Sequence, residues 1–142
     1  MQKLVPLAAA MLFALPSALP SGAALAQSTN QTQAGIEAAE RWLALVDDGQ
    51  VAQAGMSTML KAAVTPQQWS AAVQQARAAF GAFKSRKLVD ARYATSLPNA
   101  PQGEYVVIQY ESTFANRAGV SETVTPMREA DGSWQVSGYY IK

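Results

Sequence analysis

Glu122 is the residue in this sequence best placed to do chemistry. It stands in the run Val120-Ser121-Glu122-Thr123-Val124. Alternation along a strand puts it on the same face as the two valines. A carboxylate on an apolar face must find a cation or give up its charge. Arg77 and Arg86 are its candidate partners. Such a pair can seat a polar ligand, can work as an acid or base, or can serve only as a structural ion pair. Asp47-Asp48 resembles a paired acid, but neighbouring helical residues diverge by about 100° and do not converge on one atom. They read as a solvated helix end. Lys84, Arg86 and Lys87, with Arg77 and Arg92 nearby, form the one basic run. It suits a phosphate or carboxylate, or a solvated strand start. Met56 and Met59 read as core rather than as copper ligands. Tyr105, Tyr110, Tyr139, Tyr140 and Trp134 make an aromatic sheet. Period 2 sets Trp134, Val136 and Tyr140 on one face and Tyr139 on the other. One set builds the core, and the other offers a partner an aromatic surface.

Much common chemistry has no residue to run it. The sequence has no Cys and no His. Thiol nucleophiles, disulfides, thiolate metal sites and the commonest general base are therefore absent. A serine nucleophile would need a lysine base, and no SxxK pattern occurs. No metal or cofactor is implied. Net charge is +1, and Lys3 lies in a segment expected to be removed, so the remainder balances. That balance gives no general attraction for nucleic acid or anionic membranes.

The elements that must position these residues show in the periodicity. Ile36, Ala39, Leu43 and Val46 share a helical face, widened by Trp42 and Leu45, and Asp48-Gly49 is a stop signal. A second helical stretch runs from about Val51 to Ala63, with Met56 and Met59 on its apolar side. Thr65-Pro66-Gln67-Gln68 is a helix start with a capping box. Trp69, Ala72, Val73, Ala76, Phe80 and Phe83 then recur at helical spacing, loosening at Gly81. Beyond Phe83 the period falls to 2. Strands are predicted at Phe83–Ala94, less cleanly patterned than the rest, and at Glu104–Asn116, Val120–Arg128 and Ser133–Ile141. Pro98 to Gly103 is a turn dense in breakers, and Asp131-Gly132 is a hairpin signal. Pro126 suggests an edge or an interruption in its strand.

Residues 1–26 read as an export signal. Lys3 supplies the positive end, Leu4 to Leu15 the apolar run, and Ala24-Leu25-Ala26 the small residues ahead of cleavage. The apolar run is too short and too broken by proline to span a bilayer. The polar stretch 27–35 (QSTNQTQAG) is expected to be a flexible leader, and 36–142 a single domain. The product is expected to be periplasmic or secreted.

Several segments together resemble a known family. They are the helix with Trp42 inside it, TPQQW, Arg77 and Gly81 ahead of the basic strand start, LPNAPQGEY, SETVT, and the closing DGSWQVSGYYI. The set is similar to the exported bacterial family catalogued as domain of unknown function 4019, over about Ile36 to Ile141. That resemblance implies an identity and no activity. The predicted fold is α+β, with three N-terminal helices packed on a curled four-stranded antiparallel meander. This order resembles the cystatin-like and NTF2-like cones, which is an analogy of topology.

The functional expectation is a non-catalytic binding or interaction module. Its working residues come from Trp42, Arg77, Arg86, Tyr110, Glu122, Tyr139 and Tyr140. The partner would be a protein or small molecule of the cell envelope, or a second copy pairing through the sheet. The alternative is a small enzyme with Glu122 as base and a tyrosine hydroxyl as hydrogen-bond donor.

Overall fold

The computed structural model describes residues 22–142. The apolar stretch Leu4–Leu15 lies outside them. Helix α1, Gly22–Asp47, buries Ala38, Ala39, Trp42, Leu43 and Val46. This is the predicted stripe at helical spacing. It ends in a Schellman turn: Gly49 has φ +78, and Gln50 N–H returns to Leu45 O at 2.8 Å. The helix also runs through residues 27–35, so the expected flexible leader is instead continuous with α1. A physical reason stands at its end. Gly35 is buried, and a Cβ there would come within 2.5 Å of Val106. Its missing side chain lets the helix lie directly on the sheet.

The predicted second helix is broken. Val51–Gln53 forms a short 3-10 turn and α2 occupies only Thr58–Ala63. Gly55, at φ +86, separates them, and Ser57 caps α2 by accepting from Leu60 N–H. Helix α3, Pro66–Ala78, starts as predicted, with Thr65 and Gln68 closing a reciprocal capping box and Pro66 in the first turn. Its buried side is narrower than its apolar pattern suggested. Val73 and Arg77 are buried and Trp69 is partly covered, whereas Ala72 and Ala76 face solvent.

Four antiparallel strands follow, in the order β1-β2-β3-β4: Phe83–Ala94, Tyr105–Phe114, Arg117–Arg128 and Trp134–Ile141. Helix α1 lies against all four, while α2 packs on β4 and α3 on β4 and the 3-10 turn. The main core is therefore α1 on one sheet face: Trp42, Leu43 and Val46 against Val106, Ile108, Val124 and Val136. Pro126 sits in an internal strand, so it marks an interruption and no edge. The pairing slips there, because Thr125 faces Gly138 and Pro126 faces Val136, leaving Ser137 as an extra residue on β4. The slip reverses the parity expected for β4. Tyr139, paired with Val124, points to the helices, and Tyr140 is 61% exposed on the other side. Strand β1 carries two similar extra residues, Lys84 and Val89. These explain its poor alternation in sequence. No described helix is long and apolar enough to cross a membrane.

Candidate functional site

Strand register places the polar groups. On the inner face of the sheet Arg86 sits opposite Ser112, and Tyr110 sits opposite Glu122. Val124 sits opposite Tyr139, which is therefore the diagonal neighbour of Glu122. Glu122 is wholly buried, as its alternation indicated. One of its oxygens, Oε1, accepts from Arg86 Nε at 2.9 Å, Arg86 Nη2 at 2.6 Å and Ser112 Oγ at 2.5 Å. The other accepts from the Tyr139 hydroxyl.

Arg86 continues the chain outward. Its Nη1 donates to Asp47 Oδ2 at 2.8 Å and its Nη2 to Asp47 Oδ1 at 3.1 Å. Asp47 Oδ1 also accepts from Arg77 Nη2 at 2.5 Å. The series Glu122–Arg86–Asp47–Arg77 alternates in sign, sums to zero, and runs from the wholly buried Glu122 to groups about a tenth exposed. The guanidinium of Arg86 lies 4.3 Å from the Phe83 ring centre, and that of Arg77 lies 5.0 Å from the Phe114 ring centre. Burial alone would lower the pKa of Arg86, but the hydrogen bonds to Asp47 and the charge of Glu122 outweigh it and hold it above the ordinary value.

The tyrosines respond to the same field. Burial, and then the Glu122 charge, push the Tyr139 hydroxyl well above the usual tyrosine range. Burial, and then the charge of Glu40, push Tyr110 up to about 12. Tyr110 lies close enough for Arg86 to reach over its ring at 5.8 Å, yet its hydroxyl is buried and has no hydrogen-bond partner. Trp42 closes the interior beside Tyr139, with ring centres 5.1 Å apart, and its Nε1 donates to Gly55 O at 3.2 Å. Trp69 stacks on its far side at 6.3 Å.

Of the residues singled out from sequence, Arg86, Glu122 and Tyr139 are thus brought into one bonded cluster, with Trp42 packed on it. Arg77 joins through Asp47 rather than by meeting Glu122. Tyr110 borders the cluster without bonding to it, and Tyr140 stands apart on the opposite face. Lys87 and Arg92 make exposed pairs with Glu111 and Asp90. Two members were missed. Asp47 was read as part of a solvated helix end, but it is one turn beyond Leu43 and next to Val46, which extends the apolar stripe to it. Ser112 lies by alternation between Tyr110 and Phe114 on the inner face of β2, a signal equally present in the sequence. Among the described residues, no three carboxylate side chains converge where a metal ion could sit.

The cluster fills its space. Among the described residues, neither Glu122 nor Tyr139 lines any of five surface grooves. Two grooves flank Asp47 at the outer end of the chain: one of about 240 Å³ beside Arg77 and one of about 270 Å³ beside Arg86 and Tyr110.

A helical layer on one face of an antiparallel meander, locked by a buried neutral chain of charges, defines the molecule as an α+β protein. It belongs to the family described as protein of unknown function (DUF4019), which matches residues 38–139. No curated protein and no solved structure matches the chain.

Proposed function

We propose that this protein is an exported binding module of the cell envelope, and that its buried charge chain holds the fold together rather than turning over a substrate. One observation carries this reading: Glu122, the residue most suited to be a base, is fully buried with both oxygens taken up by Arg86, Ser112 and Tyr139. A general base must come within hydrogen-bond reach of a substrate proton. The tyrosine hydroxyl that an enzyme would turn toward substrate is spent on Glu122 itself. Binding then falls to what remains open. Among the described residues the exposed aromatic surface reduces to Tyr140, whereas Asp47 in the charge chain is flanked by two grooves. Export is supported by the sequence of residues 1–26. The helices-then-meander order supports the likeness to the cystatin-like and NTF2-like cones, folds that host binding modules.

Photo-crosslinking residues placed singly at Gln74, Leu88 and Tyr140 test the reading in intact cells. A discrete adduct at a groove position is expected, from a periplasmic fraction in which the mature chain begins at Gln27. Retention of residues 1–26 would overturn export. A turnover abolished by Glu122→Gln in a fully folded protein would overturn the binding reading.

A further inference from the structure

Among the described residues, Arg77 is the one buried charged group whose donors are left over. Arg86 spends its guanidinium on Asp47, Ser112 and Glu122. Arg77, only 9% exposed, makes a single hydrogen bond, from Nη2 to Asp47. Its Nη1 is buried without any partner. An orphaned neutral donor is already costly, and a cationic one more so. Stacking on Phe114 and the Asp47 contact fix the plane of the fork while leaving one side of it unspent. A planar fork held this way matches the two oxygens of a carboxylate.

The groove beside it supplies the rest of a site. Val46, Val51 and Phe83 form apolar walls, and Gln74 stands on the same lip, one turn before Arg77 on α3. Gln74 is exposed, so it can swing to admit a group and then donate its amide to it. At about 240 Å³ the groove is smaller than the roughly 300–1,000 Å³ of sites for drug-sized ligands. Asp47 also lines the groove, but the four-group chain it belongs to is neutral overall, so the site carries no net negative charge against an anion.

We infer that this groove binds a carboxylate carried on a short apolar stem, with Arg77 and Gln74 gripping the oxygens and Val46, Val51 and Phe83 holding the stem. The inference rests on the binding-module reading and names its ligand chemistry. Two sources share that chemistry: a free short-chain acid, and the C-terminal carboxylate of a partner chain ending in an apolar residue.

The test is titration of the isotope-labelled mature protein followed by backbone amide shifts. The probes are butyrate, butylammonium, inorganic phosphate, and a short peptide ending in free leucine beside its C-terminally amidated twin. Saturable shifts at 46–51, 74–78 and 81–83 are expected with butyrate and the free peptide, and none with butylammonium or the amidated peptide. Arg77→Gln should weaken binding at least tenfold. Arg77→Lys should lie between, because it keeps charge without the fork. Gln74→Leu, on an exposed position that leaves the fold alone, should weaken it several-fold. Tighter binding of the peptide than of butyrate assigns the site to a chain terminus; the reverse assigns it to a free acid. Tighter binding of phosphate, equal binding of butylammonium, no saturable shift with either carboxylate, or unchanged binding in both Arg77→Gln and Gln74→Leu would overturn the inference. A cross-linked partner found at Leu88 or Tyr140 alongside such a failure would leave the binding-module reading standing.

Discussion

Replacing Glu122 with Gln keeps the side chain's shape and removes its charge. The carbonyl of the glutamine can keep the contacts that Oε1 now makes with Arg86 and Ser112. Its amide then points a donor at the Tyr139 hydroxyl, which must turn its own proton elsewhere. The larger consequence is electrostatic. Arg77 and Arg86 would share Asp47 alone, with Arg86 only 11% exposed. Breaking one side of a buried ion pair costs about 3–5 kcal/mol. A domain this size holds about 5–15 kcal/mol in all. The melting midpoint should fall by roughly 10–20 °C. Thermal and urea unfolding of the mature protein, followed by circular dichroism, would measure it. A second arm separates lost charge from lost packing. In an Arg86→Met background the same Glu122→Gln change should cost about 2 kcal/mol less, because no unmatched guanidinium is left behind. A Glu122→Gln protein melting within about 2 °C of the parent would refute the reasoning. The carboxylate would then not be a clamp, and its burial would have to serve chemistry.

Other outcomes follow from the same geometry. Tyr110→Phe removes a buried hydroxyl that has no partner, so it should stabilise the protein by about 1 kcal/mol in denaturant titration. Gly35→Ala drives a methyl into Val106 and should destabilise by about 1–3 kcal/mol, whereas a flexible leader would tolerate it. Stability should also fall at high pH. Tyr110, pushed up to about 12, and Tyr139, raised further, keep their protons in the folded state after unfolded tyrosines have lost theirs. Their contribution is complete below about pH 10 and declines above it by about 1.4 kcal/mol per pH unit for each retained proton. Tyrosinate absorbance should show these two rings titrating only as the protein unfolds. Thr65→Ala should cost about 1 kcal/mol through loss of the α3 capping box, read from the same melts.

What the sequence made legible was whatever depends on local period. The α1 stripe, the α3 capping box and the inner face of β2 all stand where spacing put them. Glu122 was legible for the same reason, since Val120 and Val124 flank it without interruption. The misreadings have particular causes. Residues 27–35 are polar, and polarity alone suggested a loose leader, yet helix continues through them because Gly35 fits under Val106. Ala72 and Ala76 kept helical spacing, but α3 packs through Trp69, Val73 and Arg77, and the side that carries the two alanines faces solvent. Tyr140 was placed with Trp134 and Val136 because alternation was carried through Ser137 as though β4 were regular.

That last error points to how the cluster is assembled. A regular β4 would put Gly138 and Tyr140 on the inner face, with Tyr140 directly opposite Glu122 and Tyr139 turned away. The extra residue Ser137, whose Oγ bonds Thr125 O at 2.8 Å, turns the strand so that Tyr139 reaches the carboxylate. On the other edge, alternation from Phe83 would point Ser85 and Lys87 inward. The extra residue Lys84 instead delivers Arg86, opposite Ser112. The two edge strands therefore converge on Glu122 through irregularities that no period-2 reading contains. Their presence also accounts for the location of the charges. A straight meander would turn Arg86 outward and bring Lys87 inward opposite Tyr110, offering Glu122 a single ammonium in place of a guanidinium fork. The bulges and the charge chain are one device: the irregular edges bring the Arg86 fork and the Tyr139 hydroxyl to the buried carboxylate.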